Sequence, residues 1–257
     1  MIQNCSPTPL KMQTSPSLLD GSDRRALSGR AVRRSDLSPV EMAAMYSLLA
    51  RHFDGVTPDT FQRDLAEKTC VVLVEDAAGR LRGFSTFLIY ATTVGGRPVT
   101  VVYSGDTIVE PSAWGSPALP RAWIRAVRAL RCEYPHGELY WLLLTSGFRT
   151  YRFMSVFCRA FYPRYDEATP PATKAMLDTL SVERFGSQYD PAAGVVRFTN
   201  PQVLRDDLVD IPEGRCGDPH VKFFVERNPG HAAGDELVSL SSLADDNLTA
   251  AGRRMVR

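Results

Sequence analysis

The stretch Ile108-Val-Glu-Pro-Ser-Ala-Trp-Gly-Ser-Pro117 separates two kinds of pattern in this chain of 257 residues. On its N-terminal side, residues 99–109 are rich in β-branched residues and predict a strand. On its C-terminal side, residues 118–130 repeat apolar side chains at helical spacing and predict an amphipathic helix. Residues 138–145 then predict a buried strand. A strand, a crossover helix and a second, parallel strand together form a βαβ unit.

The sequence upstream of this unit predicts two helices and an antiparallel meander. Ser38 is a candidate N-cap, because Pro39 follows at the first helical position and apolar residues then recur at helical spacing. A second helix is predicted at 58–68. Two turns that contain glycine, Asp76-Ala-Ala-Gly79 and Gly95-Gly96-Arg-Pro98, separate strand candidates. The predicted strands are 30–34, 70–75, 81–94 and 99–109.

The downstream sequence predicts how the chain is divided. A helix at 148–161 completes a core over residues 27–165. Residues 1–26 are rich in Ser and Pro and predict a flexible leader. Residues 166–257 are predicted to be a C-terminal extension packed on the same domain. Within it we expect helices at 172–180 and 248–255, and strands at 194–198, 220–226 and 236–240.

Composition excludes several classes of function. The chain has 30 basic and 29 acidic residues, a net charge of +1, so nothing favours nucleic acid as a partner. No apolar run is long enough to span a membrane, and the N-terminus does not resemble a signal peptide. The five cysteines are scattered without a CxxC pair, and the four histidines have no metal-ligand spacing. We therefore expect a cytoplasmic protein without a metal.

The order β, α, α, β, β, β, α, β, α between Arg30 and Tyr162 resembles that of the GNAT acyltransferase superfamily. The 108–117 stretch is similar to the superfamily's signature, a strand ending in Val-x-Pro before a loop of small residues that opens a helix. The resemblance implies a mixed α/β fold, with a central, mostly antiparallel sheet flanked by helices and followed here by a C-terminal extension. It also implies an enzyme that moves an acyl group from acyl-CoA to an amine acceptor, a small molecule or a peptide.

The loop itself suits a phosphate group. Backbone N–H groups at a helix N-terminus, with the helix dipole, favour the pyrophosphate of coenzyme A. By resemblance, Trp114, Gly115 and Ser116 are cofactor-binding residues here, and Arg121, in the first turn of the helix, is a candidate cation for the same phosphates. The sequence departs from the signature at two places, since Trp114 stands where Arg is common and Pro117 where a second glycine is expected.

Other binding groups implied by the resemblance are the backbone groups of Thr107, Ile108 and Val109. In GNAT enzymes this strand and the next one splay apart, and the pantetheine arm binds the open edge like an added strand. Gly105 lies in the same strand. A strand glycine often marks a bulge or the close approach of a ligand.

The catalytic candidates are Tyr151, Asp106 and Tyr103. The resemblance makes Tyr151, on the helix after the second strand of the unit, the acid for the leaving thiolate. Asp106 and Tyr103 are candidates for the base, with Glu110 further along. Strand alternation puts Tyr103 and Asp106 on opposite faces, unless a bulge at Gly105 redirects one of them.

Three alternatives stay open at this stage. The density of apolar residues in 140–161 favours a pocket for a longer or aromatic acyl chain, and hence a long-chain fatty-acyl transferase. The donor is then acyl-CoA or an acyl-carrier protein. The departures in the loop favour a non-catalytic acyl-CoA-binding module. A homodimer is compatible with an extension that forms a subunit interface.

Overall fold

The computed structural model describes residues 27–256, and the predicted leader lies outside them. This part of the chain forms ten strands and eight α-helices. The strands are β1 (Ser28–Arg33), β2 (Phe53–Asp54), β3 (Cys70–Glu75), β4 (Leu81–Val94), β5 (Arg97–Val109), β6 (Glu138–Thr145), β7 (Tyr189–Asp190), β8 (Val195–Val196), β9 (Val203–Leu204) and β10 (Glu236–Ser242). The helices are α1 (Pro39–His52), α2 (Pro58–Ala66), α3 (Ala118–Arg131), α4 (Phe148–Phe157), α5 (Pro171–Phe185), α6 (Asp206–Val209), α7 (Pro219–Arg227) and α8 (Ala250–Val256).

Eight of the strands form one mixed sheet in the order β1-β3-β4-β5-β6-β10-β8-β7. Every pairing in it is antiparallel except that of β5 with β6, which is parallel, as the βαβ unit predicts. The hairpin between β4 and β5 turns at Gly95 and Gly96, whose φ values of +56° and +76° suit glycine. The predicted mixed α/β fold and its order of elements are thus confirmed.

Helices cover both faces of the sheet. On one face, α3 and α4 pack over the largest apolar cluster, in which the tilted rings of Trp123 and Trp141 lie 4.7 Å apart between centroids. On the other face, α1 and α2 bury a second cluster, and α5 buries a third. Helix α1 begins where predicted, because Ser38 Oγ accepts a hydrogen bond from the Glu41 N–H at 3.2 Å while the Glu41 carboxylate accepts one from the Ser38 N–H at 2.7 Å.

Strand β5 contains the bulge that its glycine suggested. Between two paired positions, β4 runs through residues 85–87 while β5 runs through residues 104–107, so β5 carries one extra residue. The extra residue reverses the alternation of side chains beyond Gly105. Tyr103 and Asp106 therefore lie on the same face of the sheet and line the same cleft.

The segment after residue 165 contributes strands to the same sheet. Residues 237–242 of β10 pair with residues 140–145 of β6, and β8 and β7 follow at the edge. Helix α8 packs against α3 and α4. The largest differences in length are those of three elements: α4 ends at Phe157, β8 spans two residues, and α5 continues to Phe185.

The strand predicted at 220–226 is wrong, because these residues form helix α7. Asp218 caps the helix through a hydrogen bond from the His220 N–H at 3.0 Å, and Pro219 occupies its first position. Val221 and Phe224 are both buried, and a spacing of three residues puts them on the same face of a helix. The β-branched and aromatic residues of this segment suggested a strand, but the cap and the burial pattern specify a helix.

Candidate functional site

Strands β5 and β6 diverge like the arms of a fork. Their last paired residues are Ser104 and Leu143, although β5 continues to Val109 and β6 to Thr145. Residues 105–109 of β5 therefore have one edge without a neighbouring strand. We call this gap between the ends of β5 and β6 the fork.

The backbone groups that face the fork follow from strand alternation. The Glu110 N–H donates to the Arg82 carbonyl at 2.8 Å, so Glu110 faces β4. Ile108, two residues earlier, faces β4 in the same way, and its side chain is buried between the sheet and α1. Thr107 and Val109 thus present their backbone groups to the fork. The prediction for Ile108 does not agree with this geometry.

A polar cleft of about 360 Å³ opens from the fork on the face that α1, α2 and α5 cover. At its base, Lys68 Nζ lies 2.9 Å from Asp106 Oδ2, which also accepts a hydrogen bond from Thr86 Oγ1 at 2.8 Å. The Lys68 ammonium is also 5.0 Å from the centre of the Tyr103 ring. Asp106 and Tyr103, the two candidates for the base, therefore line the same cleft. Its other polar lining residues include Asp64, Glu67, Thr145, Arg184 and Glu236.

Asp106 is held in its ionised form. Burial alone would raise the pKa of Asp106, but the Lys68 charge, with the hydrogen bonds from Lys68 and Thr86, holds this pKa below its usual value. Burial likewise opposes the Lys68 charge, yet Asp106 raises the pKa of Lys68 above its ordinary value. A carboxylate of lowered pKa that is already paired is a weak acceptor for a substrate proton.

Glu236, the first residue of β10, has the opposite property. Burial in the cleft, together with the neighbouring charge of Asp106, raises the pKa of its carboxyl from 4.5 to about 8. Its side chain is half-buried and lines the polar cleft. A carboxyl group with a pKa near neutrality inside a cleft has the character of a general base. The sequence predicts a strand that begins at Glu236 but contains no motif that points to this residue as a base.

This shift predicts a change of stability with pH. The folded state binds a proton at Glu236 that the unfolded state releases between pH 4.5 and about 8, so ionisation of Glu236 lowers the free energy of unfolding as the pH rises. Glu236→Gln is therefore expected to raise the free energy of unfolding by at least about 1 kcal/mol at high pH. Near pH 5 the substitution should have little effect. Denaturant unfolding of both proteins across this range measures the difference, and a constant difference at every pH would contradict it.

An apolar cavity lies on the opposite side of the fork, between α3, α4 and α8. Its walls are formed mainly by aromatic and aliphatic side chains, among them Trp123, Trp141, Leu143, Phe153 and Phe157. Thr107 and Thr150 line both this apolar cavity and the polar cleft. The fork therefore connects a polar chamber and an apolar chamber across the sheet.

The loop before α3 is partly occupied by its own hydrogen bonds. The Ser116 N–H donates to the Ala113 carbonyl at 3.3 Å, and Ser116 Oγ accepts from the Ala118 N–H at 3.2 Å. Gly115 has a φ of +83°, a conformation that favours glycine. Arg121 is exposed in the first turn of α3. These contacts leave the loop with fewer free donors than the resemblance implies.

Trp114 and Val109 interact with each other. The Trp114 indole N–H donates to the Val109 carbonyl at 2.9 Å, and the Arg149 guanidinium lies 4.2 Å from the centre of the indole ring. The predicted binding groups at the outer end of the fork are thus linked to one another. Thr107 is also predicted to bind the cofactor through its backbone. Its backbone faces the fork, and Trp114 donates to the Val109 carbonyl and not to Thr107.

Tyr151 lies apart from the fork. Its side chain is fully buried among Phe161, Phe223 and Phe224, and its hydroxyl donates to the Pro163 carbonyl at 2.9 Å. Burial raises the pKa of this hydroxyl well above its usual value. The structure therefore does not bring Tyr151 to either chamber, because helix α7 of the extension covers it.

Two absences concern residues 27–256 only. In this range no group of three or more His, Cys, Asp or Glu side chains is arranged to hold a metal ion. None of the helices described in the same range is both long and apolar enough to cross a bilayer.

Comparison with known proteins finds similarity to solved structures. No protein-family model and no curated protein matches the sequence. The chain is similar to the GNAT family N-acetyltransferase YhbS from Escherichia coli in complex with CoA, with 16% identity over 56% of this chain and 72% of that one and a TM-score of 0.37. It is also similar to an acetyltransferase from Trypanosoma brucei, with 17% identity, 56% and 99% coverage and a TM-score of 0.38. An acyl-CoA N-acyltransferase from Pseudomonas aeruginosa gives 18% identity, 51% and 88% coverage and a TM-score of 0.36. At such identities and TM-scores, these likenesses do not establish a function for the chain.

Proposed function

We propose that this protein is an N-acyltransferase that moves an acyl group from acyl-CoA to an amine. The observation that carries the proposal is the fork, an open strand edge placed between an apolar cavity and a polar cleft that contains a carboxyl of raised pKa. Acyl transfer to an amine needs a base for the ammonium proton, a donor for the oxyanion and an acid for the thiolate. The residues at the fork offer one group for each need.

In this proposal the donor lies along the fork and the acceptor enters through the polar cleft. The pantetheine arm would pair with the Thr107 carbonyl and the Val109 N–H, as a strand pairs with an open sheet edge, which leaves the Thr107 N–H for the thioester oxygen. The diphosphate would lie at the N-terminus of α3, near Gly115 and Arg121. This arrangement puts the thioester carbonyl between the two chambers.

The chemical step then uses the cleft side chains in turn. Glu236 takes the ammonium proton, and the free amine attacks the thioester carbon. The Thr107 N–H faces the fork and is placed to stabilise the oxyanion that forms. The C–S bond breaks as the intermediate collapses. The Tyr103 hydroxyl, in the same cleft, is the candidate to protonate the thiolate, and the resulting phenolate would take the remaining extra proton from the amide nitrogen. Asp106 acts as a positioning residue, because its charge raises the pKa of Glu236.

A measurement of CoA release tests the proposal against its rival. The engaged donors of the loop favour a second candidate, a module that binds acyl-CoA without turning it over. Binding of acetyl-CoA is measured by calorimetry, and free CoA is measured by thiol detection with and without a mixture of primary amines. Amine-dependent release supports an acyltransferase. Binding without release supports the module, and neither binding nor release contradicts both.

Arg121 provides a separate test of where the diphosphate binds. A guanidinium hydrogen bond to phosphate contributes about 1.5–3 kcal/mol, so Arg121→Ala is expected to raise the Kd for CoA by about tenfold to a hundredfold. Arg34→Ala, which removes another exposed arginine, is the matched control and should leave the Kd unchanged. Equal affinities for the two variants would place the diphosphate elsewhere.

A further inference from the structure

We propose that the apolar cavity is the binding site for the acyl chain of the donor, and that this chain is of short to medium length. The inference rests on the proposed function and adds the substrate class to it. Its first support is position. Ser104 and Leu143, the last paired residues of β5 and β6, both line the cavity, so it opens at the closed end of the fork. A thioester lying along the fork would direct its acyl chain there.

The chemistry of the lining is the second support. Three of the hydroxyl groups in the lining bond to one another or to the wall: Ser85 Oγ lies 2.7 Å from Thr107 Oγ1, and the Trp141 indole N–H donates to Ser104 Oγ at 2.7 Å. The cavity therefore presents carbon surface to an occupant. Such a surface favours a hydrocarbon chain, because a polar occupant would lose its hydrogen bonds to water without replacing them.

The volume of the apolar cavity limits the length of the acyl chain that it can hold. The cavity encloses about 50 Å³. One water needs roughly 10–15 Å³ on this measure, so the space corresponds to about four units of methylene size. We therefore expect the best donor to carry about three to five carbons beyond the carbonyl, the range from butanoyl-CoA to hexanoyl-CoA. A dodecanoyl chain exceeds this space, which disfavours the long-chain alternative.

The wall also explains what limits the chain. Helix α8 closes the outer side with Gly252 and Met255. A Cβ atom at Gly252 would come within 2.5 Å of the Phe157 carbonyl, so α8 is seated closely against α4. Phe153 and Leu243 are large side chains that also line the cavity, so a change in their size changes the space available to the chain.

The experiment measures Kd for acetyl-, butanoyl-, hexanoyl-, octanoyl- and dodecanoyl-CoA by calorimetry on the full chain. Each buried methylene should tighten binding by roughly three- to fourfold, so affinity is expected to rise at least tenfold from acetyl to hexanoyl and to fall at dodecanoyl. Phe153→Ala enlarges the cavity and should move the optimum to a longer chain. Leu243→Phe reduces it and should move the optimum to a shorter chain.

Phe223→Ala is the matched control, because Phe223 is a half-buried phenylalanine on α7 that does not line the cavity. It should leave the order of affinities unchanged, and circular dichroism checks that each variant is folded. Two opposite variants keep the test decisive if one of them fails to fold. Equal affinity for every chain length, or no movement of the optimum in either cavity variant, would overturn the inference. Because binding is measured apart from CoA release, the acyl site can fail while the proposed acyl transfer stands, and the reverse.

Discussion

Glu236→Gln is expected to lower kcat/KM for acyl transfer by about a hundredfold to a thousandfold, in the range measured for loss of a general base. The amide is close in size to the carboxyl but cannot accept the ammonium proton. The Kd for acetyl-CoA should be unchanged, since Glu236 lies in the polar cleft and not along the loop before α3. Steady-state kinetics and calorimetry on the two proteins measure both quantities.

The pH dependence of the same pair of proteins separates catalysis from packing. In the wild-type protein, kcat/KM should rise with pH through a midpoint of about 8, where half of the Glu236 carboxyl groups are ionised, and level off above it. The acceptor amine titrates as well, but it does so equally in both proteins. The wild-type profile should therefore contain a step near pH 8 that the Gln variant lacks. Parallel profiles would show that Glu236 is not the base.

Asp106→Asn is expected to give the largest loss of stability, about 3 kcal/mol in the free energy of unfolding. The Lys68 side chain is 4% exposed, and its ammonium would lose the carboxylate that lies 2.9 Å away. This loss of stability is at the low end of the range for buried charge pairs, because the Asp106 side chain is 26% exposed. Denaturant unfolding near pH 7 measures the change.

Two further variants assign this loss to the charge pair. Thr86→Val removes only the hydrogen bond to Asp106 Oδ2 and should cost about 1 kcal/mol. The double variant Lys68→Met with Asp106→Asn should be more stable than Asp106→Asn alone, because no unpaired ammonium remains buried. Asp106→Asn should also move the pH midpoint of activity below 8, since the Asp106 charge helps to raise the pKa of Glu236. An unchanged stability in Asp106→Asn would contradict this description of the cleft.

Local signals in the sequence were sufficient to predict the sheet from β1 to β6. Ser38 and Pro39 marked the start of α1, Gly95 and Gly96 marked a hairpin, and Gly105 suggested the bulge. Each of these residues acts through its own backbone conformation or through a neighbour a few positions away. Such short-range effects can be inferred from sequence alone.

The candidate site was harder to predict because its groups come from distant parts of the chain. Lys68, Asp106 and Glu236 meet only when the sheet has formed, and nothing near Glu236 in the sequence indicates a raised pKa. The position of Tyr151 depends on α7, a segment for which the sequence suggested a strand. A prediction based on resemblance could not anticipate this, since the extension lies beyond the region that carries the resemblance.

The most direct test of the central claim is product analysis by mass spectrometry. The protein is incubated with isotopically labelled acetyl-CoA and hexanoyl-CoA in competition, together with a mixture of primary amines, and Glu236→Gln is treated in the same way. We predict labelled N-acyl amines in the wild-type sample, with the hexanoyl product in excess, and at least about a hundredfold less product with the variant. Recovery of intact donors in the wild-type sample, or equal product from both proteins, would contradict the assignment of acyl transfer to this fork and its cleft.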